Sequence, residues 1–530
     1  MGHSQRDAGL LRAVGPAGLA ASIVCQTVGA AIFVVPAVLA ANVGVYAPLA
    51  FLGCGVAIAA VALCFAEGGS RIPTSGGPYG YIEAAFGPLA GYSAGTLLWV
   101  GNVLACGGVA AALGDVVANL SGPSWSAAAR AAVIIGAVGT IAAVNIGGVA
   151  RGAGLVKAMT VVKLLPLLVF VIAGNTAIHA GNFSNTALPG TEGVGRAVIL
   201  ALFAYTGLEV SLSASGEVAA PNRTIPRALG VAIPSIIALY VVIQVIAQGV
   251  LGEALGRSSA PLADAMARIS PGLRTLMLAG GALSMLGMLS SDLMGSPRQL
   301  FAFGREGLLP RVLGRIHGRS HAPYVAIASY GALAAVLALT GTFAKLAVLA
   351  TLLVAPVYAA GCASAWLLAR RGVALAGTPL GFPLLGTVAA FGIVSMLILI
   401  SLAERAEILG LAALMTLSAL VYLIQSRVVL ARGGVRGASE VDRGPQEIAH
   451  PVERCPLAER GKRMAGVPRN CASYRSALVV DRVERNFVGW LIGVVFRRPL
   501  RAPALSNRSC AVPRDRGARR PHGRADISAR

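Results

Sequence analysis

From residue 13 to residue 66 the chain holds no Asp, Glu, Lys or Arg. A membrane-crossing helix needs about 20 mostly apolar residues, so this stretch has room for two. The polar turn at Asn42–Pro48 parts them. Comparable apolar stretches follow at 86–114, 131–150, 155–174, 195–216, 228–250, 275–297, 323–340, 344–369, 382–403 and 407–426. The pattern predicts an all-α polytopic membrane protein with twelve transmembrane helices. Run length argues for helices, because barrel strands are about 10 residues of alternating polarity. The first apolar run is too long for a cleaved leader, and it continues into further spans. The spans at 155, 195 and 275 each carry one ionisable residue inward of their ends: Lys163, Glu209 and Asp292.

Composition agrees with this pattern. Of 530 residues, 56% are apolar and 12% are charged, against roughly 25% charged in soluble domains. Mean hydropathy is +0.74. An ordinary soluble enzyme and a disordered chain are both excluded. The eight Cys are too sparse for a disulfide-built domain, and Cys25, Cys54, Cys64, Cys106 and Cys362 all lie in apolar runs. All six His (His3, His179, His317, His321, His450 and His522) fall in loops or tails, so no intramembrane metal centre is expected. There is no P-loop, no CxxC and no nucleophile–base constellation. The chain reads as a non-enzyme with no cofactor.

Charge changes the picture in two places. The 44 Lys+Arg exceed the 22 Asp+Glu, for a net +22. Alternating the loops between two sides puts sixteen basic residues on one and seven on the other. The richer side faces the cytoplasm, so both termini are expected there, in a multi-pass protein of the cell membrane. Residues 1–16 form the cytoplasmic N-terminus. Residues 433–530 hold 20 basic and 9 acidic residues in a Pro/Gly/Arg-rich segment with little apolar content. This tail is expected to be disordered, with anionic membrane lipid as the partner its charge attracts. The basic excess thus sets topology and gives no reason to expect nucleic acid.

A solute site in a membrane is built where helices break, because freed backbone groups must line a cavity. The first span contains Val28-Gly29-Ala30-Ala31-Ile32-Phe33 and then Pro36; the sixth contains Phe203-Ala204-Tyr205-Thr206-Gly207-Leu208-Glu209. Glycine in a membrane helix also marks close packing, so either stretch alone is ambiguous. Together they stand where a five-plus-five inverted repeat places its discontinuous helices. The half-helix starting near Ile32 exposes free amides and a positive dipole end, which suit a carboxylate. Unwound carbonyls near 203–207 suit an ammonium. The pair describes a site for a small zwitterion: an amino acid or a related amine.

Four stretches carry a family resemblance. They are Gly29-Ala30-Ala31-Ile32-Phe33 with Pro36; Ala66-Glu67 with Pro73-Thr74-Ser75-Gly76-Gly77-Pro78-Tyr79-Gly80-Tyr81 and Ala85-Phe86-Gly87; Gly207-Leu208-Glu209 with Glu217-Val218 and 221–228; and Pro297-Arg298 with 304–310 and Ala322-Pro323. In these the chain resembles the amino acid–polyamine–organocation (APC) permeases, from about residue 17 to 427. The resemblance implies a leucine-transporter-type fold. Inverted repeats cover about 17–174 and 195–369, helices 1 and 6 are discontinuous, and two peripheral helices lie within 382–426. It implies secondary transport by alternating access, with Gly29, Ala30, Ala31, Ile32, Phe203, Ala204, Tyr205, Thr206 and Gly207 at the substrate. It brings Asn102 of helix three toward that site and makes Trp99 a packing residue. Ala31 stands where the family's break has its second glycine, which narrows close approach.

The resemblance also assigns roles to charges. Lys163 matches a lysine that substitutes for the sodium ion of sodium-coupled relatives, which makes protons a partner; the alternative is a lysine snorkelling to the interface. Glu209 matches a family glutamate and would carry or sense a proton; the alternative is a structural carboxyl. Asp292 is expected to cap its helix or to pair with a local arginine such as Arg298, and Asp115 to be interfacial. Expected functions are proton-coupled uptake, amino acid or amine exchange, or a receptor-like sensor on the same scaffold. A sensor would normally add a folded soluble domain. The permease is expected to be a monomer or a homodimer.

Overall fold

The computed structural model describes residues 14–440, apart from 74–75, 122–125, 185–190, 214 and 376–377. The predicted disordered tail lies outside the described residues from 441 onward. Helices account for nearly all of the described chain. In order they are α1 (Pro16–Thr27), α2 (Ala31–Val43), α3 (Ala47–Arg71), α4 (Pro78–Phe86), α5 (Pro88–Ser121), α6 (Ala127–Ile146), α7 (Val149–Asn175), α8 (Thr191–Phe203) and α9 (Leu208–Leu212). Then come α10 (Pro221–Leu251), α11 (Pro261–Ala267), α12 (Pro271–Gly295), α13 (Pro297–Glu306), α14 (Tyr324–Thr340), α15 (Phe343–Arg370), α16 (Leu385–Ser401) and α17 (Arg405–Glu440). Among the described residues, nine helical stretches are long and apolar enough to cross a membrane. Two shorter apolar helices, α14 and α16, join them.

Apolar side chains occupy both the inside and the outside of the bundle. Ile23, Ile32, Leu212 and Leu289 are fully buried, yet Val161 is 68% exposed and Ile172 65% exposed on the outer wall. A helix that is apolar all round is stable only where its outer face meets lipid. The fold is that of a polytopic membrane protein.

Punctuation residues start many of the helices. Proline stands at the first position of α1, α4, α5, α10, α11, α12 and α13, where its missing N–H costs nothing. The Gly76-Gly77 turn after α3 explains its part of the sequence signature. Gly77 has φ +55°, and a Cβ there would lie 2.8 Å from the carbonyl carbon of Leu212. The Gly76 amide donates to the Ser213 carbonyl at 2.9 Å. Only glycine lets this turn press against the end of α9.

Packing brings distant helices together around the two interruptions. α3 lies along α10, α7 along α12, α5 along α15, and α14 along α6. Short α9 rests on α1, where the Ser22 and Ser211 hydroxyls meet at 3.1 Å.

Candidate substrate and coupling site

The first helix breaks at residues 28–30, between α1 and α2. Val28 leaves the helical region (ψ 82°), and its amide still donates to Val24 O at 2.9 Å. The carbonyls freed by this break are satisfied from three other helices. Lys163 of α7 donates its ammonium to the carbonyls of Cys25 and Val28. Ser284 of α12 donates to Val28 O at 3.2 Å and to Gly29 O at 3.4 Å. Tyr240 of α10 donates its hydroxyl to Thr27 O at 3.0 Å. Lys163 is 0% exposed. It points into the bundle rather than snorkelling, which decides between the two positions the sequence left open for it. The first amides of α2, around Ala31 and Ile32, have no partner within their helix and form its positive end.

The second break spans residues 204–207, between α8 and α9. Tyr205 and Thr206 turn back on Leu202 O and Phe203 O at 2.9 and 3.1 Å. Gly207 has φ +112°, and a Cβ there would meet Gln26 Cγ at 2.9 Å and Gln26 O at 3.2 Å. Glycine is required twice over, for its dihedral and for the close approach of α1. The Gly207 amide donates to the Glu209 carboxylate at 3.0 and 3.2 Å. Tyr358 of α15 donates its hydroxyl to the same group. Tyr205 anchors the loop by donating to Phe51 O at 3.0 Å, and its ring packs on Tyr240 at 5.2 Å between centroids.

The two breaks therefore share one buried region. Gly29, Ala30, Ala31 and Ile32 are buried, as are Phe203, Ala204, Tyr205 and Gly207, with Thr206 half-buried. Tyr240 ties the two segments by donating to Thr27 O and packing on Tyr205, and Gly207 presses on Gln26. Asn102 on α5 is 5% exposed, and its side-chain amide nitrogen has no hydrogen-bond partner. An unpaired buried donor is costly.

Asp292 departs from expectation. Its carboxylate accepts from Tyr330 at 2.7 Å and Ser296 at 2.7 Å, with Gln26 Nε2 at 3.5 Å. Arg298 instead pairs with Glu217 at 3.2 Å. Asp115 pairs with Arg130 at 2.7 Å on an exposed edge, in keeping with an interfacial residue. Among the described residues, Lys163, Glu209 and Asp292 join no salt bridge. Three ionisable groups held only by neutral partners inside a membrane protein are expensive to keep, and such residues mark ion or substrate paths.

The sequence reading did not find Tyr240, Ser284, Tyr330, Tyr358 or Gln26. A signal for the tyrosines was present: each interrupts an apolar run, and a buried tyrosine hydroxyl needs a partner. Which partner depended on the packing of helices far apart in the chain.

Comparison with known proteins identifies the family. The model of a family described as "Amino acid permease" matches residues 15–424. The chain belongs to the amino acid permease family, within the APC group that the four stretches resembled. An uncharacterized transporter of Mycobacterium tuberculosis is 33% identical over 323 residues, 59% of this chain and 70% of the relative. The serine/threonine exchanger SteT of Bacillus subtilis is 27% identical over 380 residues, 69% of this chain and 85% of the relative. A chloroplastic cationic amino acid transporter of Arabidopsis thaliana is 26% identical over 332 residues, 58% of each.

Proposed function

We propose that this permease moves a small amino acid or related amine by alternating access, with proton coupling through Lys163 and Glu209. The observation that carries the proposal is the Lys163 ammonium on the freed carbonyls of the first break. A positive charge there does the work of an inorganic cation, holding the break open and orienting the α2 amides toward a carboxylate. Glu209 does the complementary work at the second break, holding the Gly207 amide. The substrate sits between them, its carboxylate at Ala30–Ile32, its ammonium at the carbonyls of residues 203–206, and Asn102 on its remaining polar atoms.

Twelve spans in two inverted repeats complete the reading, with both termini in the cytoplasm. The packing supports the repeat. Adding or subtracting five exchanges span 3 with 8 and span 10 with 5. The α5–α15 pair (spans 3 and 10) then maps onto the α12–α7 pair (8 and 5), while α3–α10 (2 and 7) and α6–α14 (4 and 9) map onto themselves.

The name of the Bacillus relative favours a second reading, amino acid exchange. Purified full-length protein in proteoliposomes separates the two. Serine, threonine and a wider amino acid panel are offered with and without an acid-outside gradient, and with and without internal amino acid. Coupled transport gives gradient-driven accumulation into empty vesicles. Uptake that needs internal amino acid and ignores the gradient establishes exchange and removes the proton from the mechanism. No uptake of any solute under any condition removes transport.

A further inference from the structure

The outer wall carries a groove apart from the residues of the two breaks. It lies between α7 and α10, encloses about 690 Å³, and is lined by Leu164, Leu165 and Leu168 on one side and Ser235, Ala238 and Val242 on the other. It continues past Val171 and Val242 into a second cavity of about 510 Å³ that reaches Asn175. From Thr160 to Asn175 at about 1.5 Å per residue the seam runs about 22 Å, more than half of a hydrocarbon core about 30 Å thick. Its two hydroxyls at the near end are already used: Thr160 donates to Val156 O at 2.7 Å and Ser235 to Val231 O at 2.8 Å. The first cavity therefore offers a ligand apolar contact.

The helix that forms one wall also supplies a charged end. Residues 223, 227, 231, 235, 238 and 242 of α10 are all exposed, at the three- and four-residue spacing that repeats on one helix face. The first two are Arg223 and Arg227, and neither has a side-chain partner among the described residues. Arg227 stands about 12 Å before Ser235 along the axis. α7 and α10 both line the groove in ascending order, so the arginines lie beyond its Thr160 end.

We infer that this seam is a binding site for one anionic glycerophospholipid, with the phosphate headgroup at Arg223 and Arg227 and an acyl chain between α7 and α10. The charge of the two exposed arginines selects a lipid over an apolar partner helix, and the first cavity, from Thr160 to Val171, runs about 16 Å, close to half of the hydrocarbon core. None of its lining residues belongs to either break.

Full-length protein is reconstituted in nanodiscs of equal phosphatidylglycerol and phosphatidylcholine, released into mild detergent, and the retained lipid is read by native mass spectrometry. Wild type retains one phosphatidylglycerol, with about 30-fold preference, roughly fivefold for each basic residue near the surface. R223A/R227A loses the preference, and R223K/R227K keeps most of it. Ala238→Phe fills the groove and lowers retention of either lipid. Arg311→Ala, an exposed arginine elsewhere, changes nothing. Equal retention of both lipids by wild type, or unchanged preference in R223A/R227A that elutes as a monodisperse peak, overturns the site. A dimer that Ala238→Phe dissociates assigns the groove to a second copy and also overturns it.

Discussion

The two helix breaks solve the same problem with opposite chemistry. At the first break the freed groups are the carbonyls of Cys25, Thr27, Val28 and Gly29, and donors reach them from α7, α10 and α12. At residues 204–207 the exposed group is the Gly207 amide, and a carboxylate two residues along the same segment accepts from it. The first break is held by its neighbours; the second is held largely within its own segment, with Tyr358 on Glu209 and Phe51 O on Tyr205 as its ties to other helices. A break held from outside cannot change without moving three helices. A break held from within rearranges locally. In the proposed transport cycle the first would then be the fixed reference of the site and the second its adjustable half.

That contrast can be broken in order of effect. Gly207→Leu abolishes uptake, because the residue needs both φ +112° and contact with Gln26. Gly207→Ala alone adds about 1–3 kcal/mol of strain, read as a lower unfolding midpoint. Normal uptake by the leucine variant would remove the second break from the site. Lys163→Ala comes next. It leaves the Cys25 carbonyl short of a donor, at about 1–3 kcal/mol, while Val28 O keeps Ser284, and uptake no longer responds to a proton gradient. A variant still driven by the gradient would strip Lys163 of its coupling role.

Glu209→Gln keeps an acceptor for the Gly207 amide, so the protein folds and binds substrate while the pH dependence of uptake flattens. A pH profile that matches wild type would make Glu209 structural. Tyr358→Phe removes one hydrogen bond to the Glu209 carboxylate, about 1.5–3 kcal/mol, and slows uptake about tenfold or more without changing gradient dependence. Deleting residues 441–530 has the smallest effect, an unchanged uptake rate in vesicles. A large loss there would give the tail a part in transport.

Much of the site was legible because glycine and buried charge are conspicuous in an apolar chain. Gly207 announced a conformation that other residues resist, and Lys163 announced a cost that had to be met somewhere. Sequence could not say how it was met. Cys25 and Val28 lie 138 and 135 positions from Lys163, and only helix packing brings them within reach. Asp292 shows the opposite failure. Arg298 is six residues away and was the expected partner, but α12 ends at Gly295 and α13 carries Arg298 to Glu217. Proximity along the chain was a poor guide where a helix turned between the two residues. Span limits were easier to read: the predicted 344–369 falls on α15 to within a residue at each end.

The shortness of α9 has its own consequence. Five residues cannot sustain a helix unaided. This one is tied at its start by Gly207 and Glu209, and just past its end by the Gly76 amide on Ser213. It should therefore open and close as one unit with the turn at 76–77 rather than fray from one end. In hydrogen exchange, the amides of 208–213 and the Gly76 amide would share a single opening rate, and that rate would set the pace at which the second break can be remade.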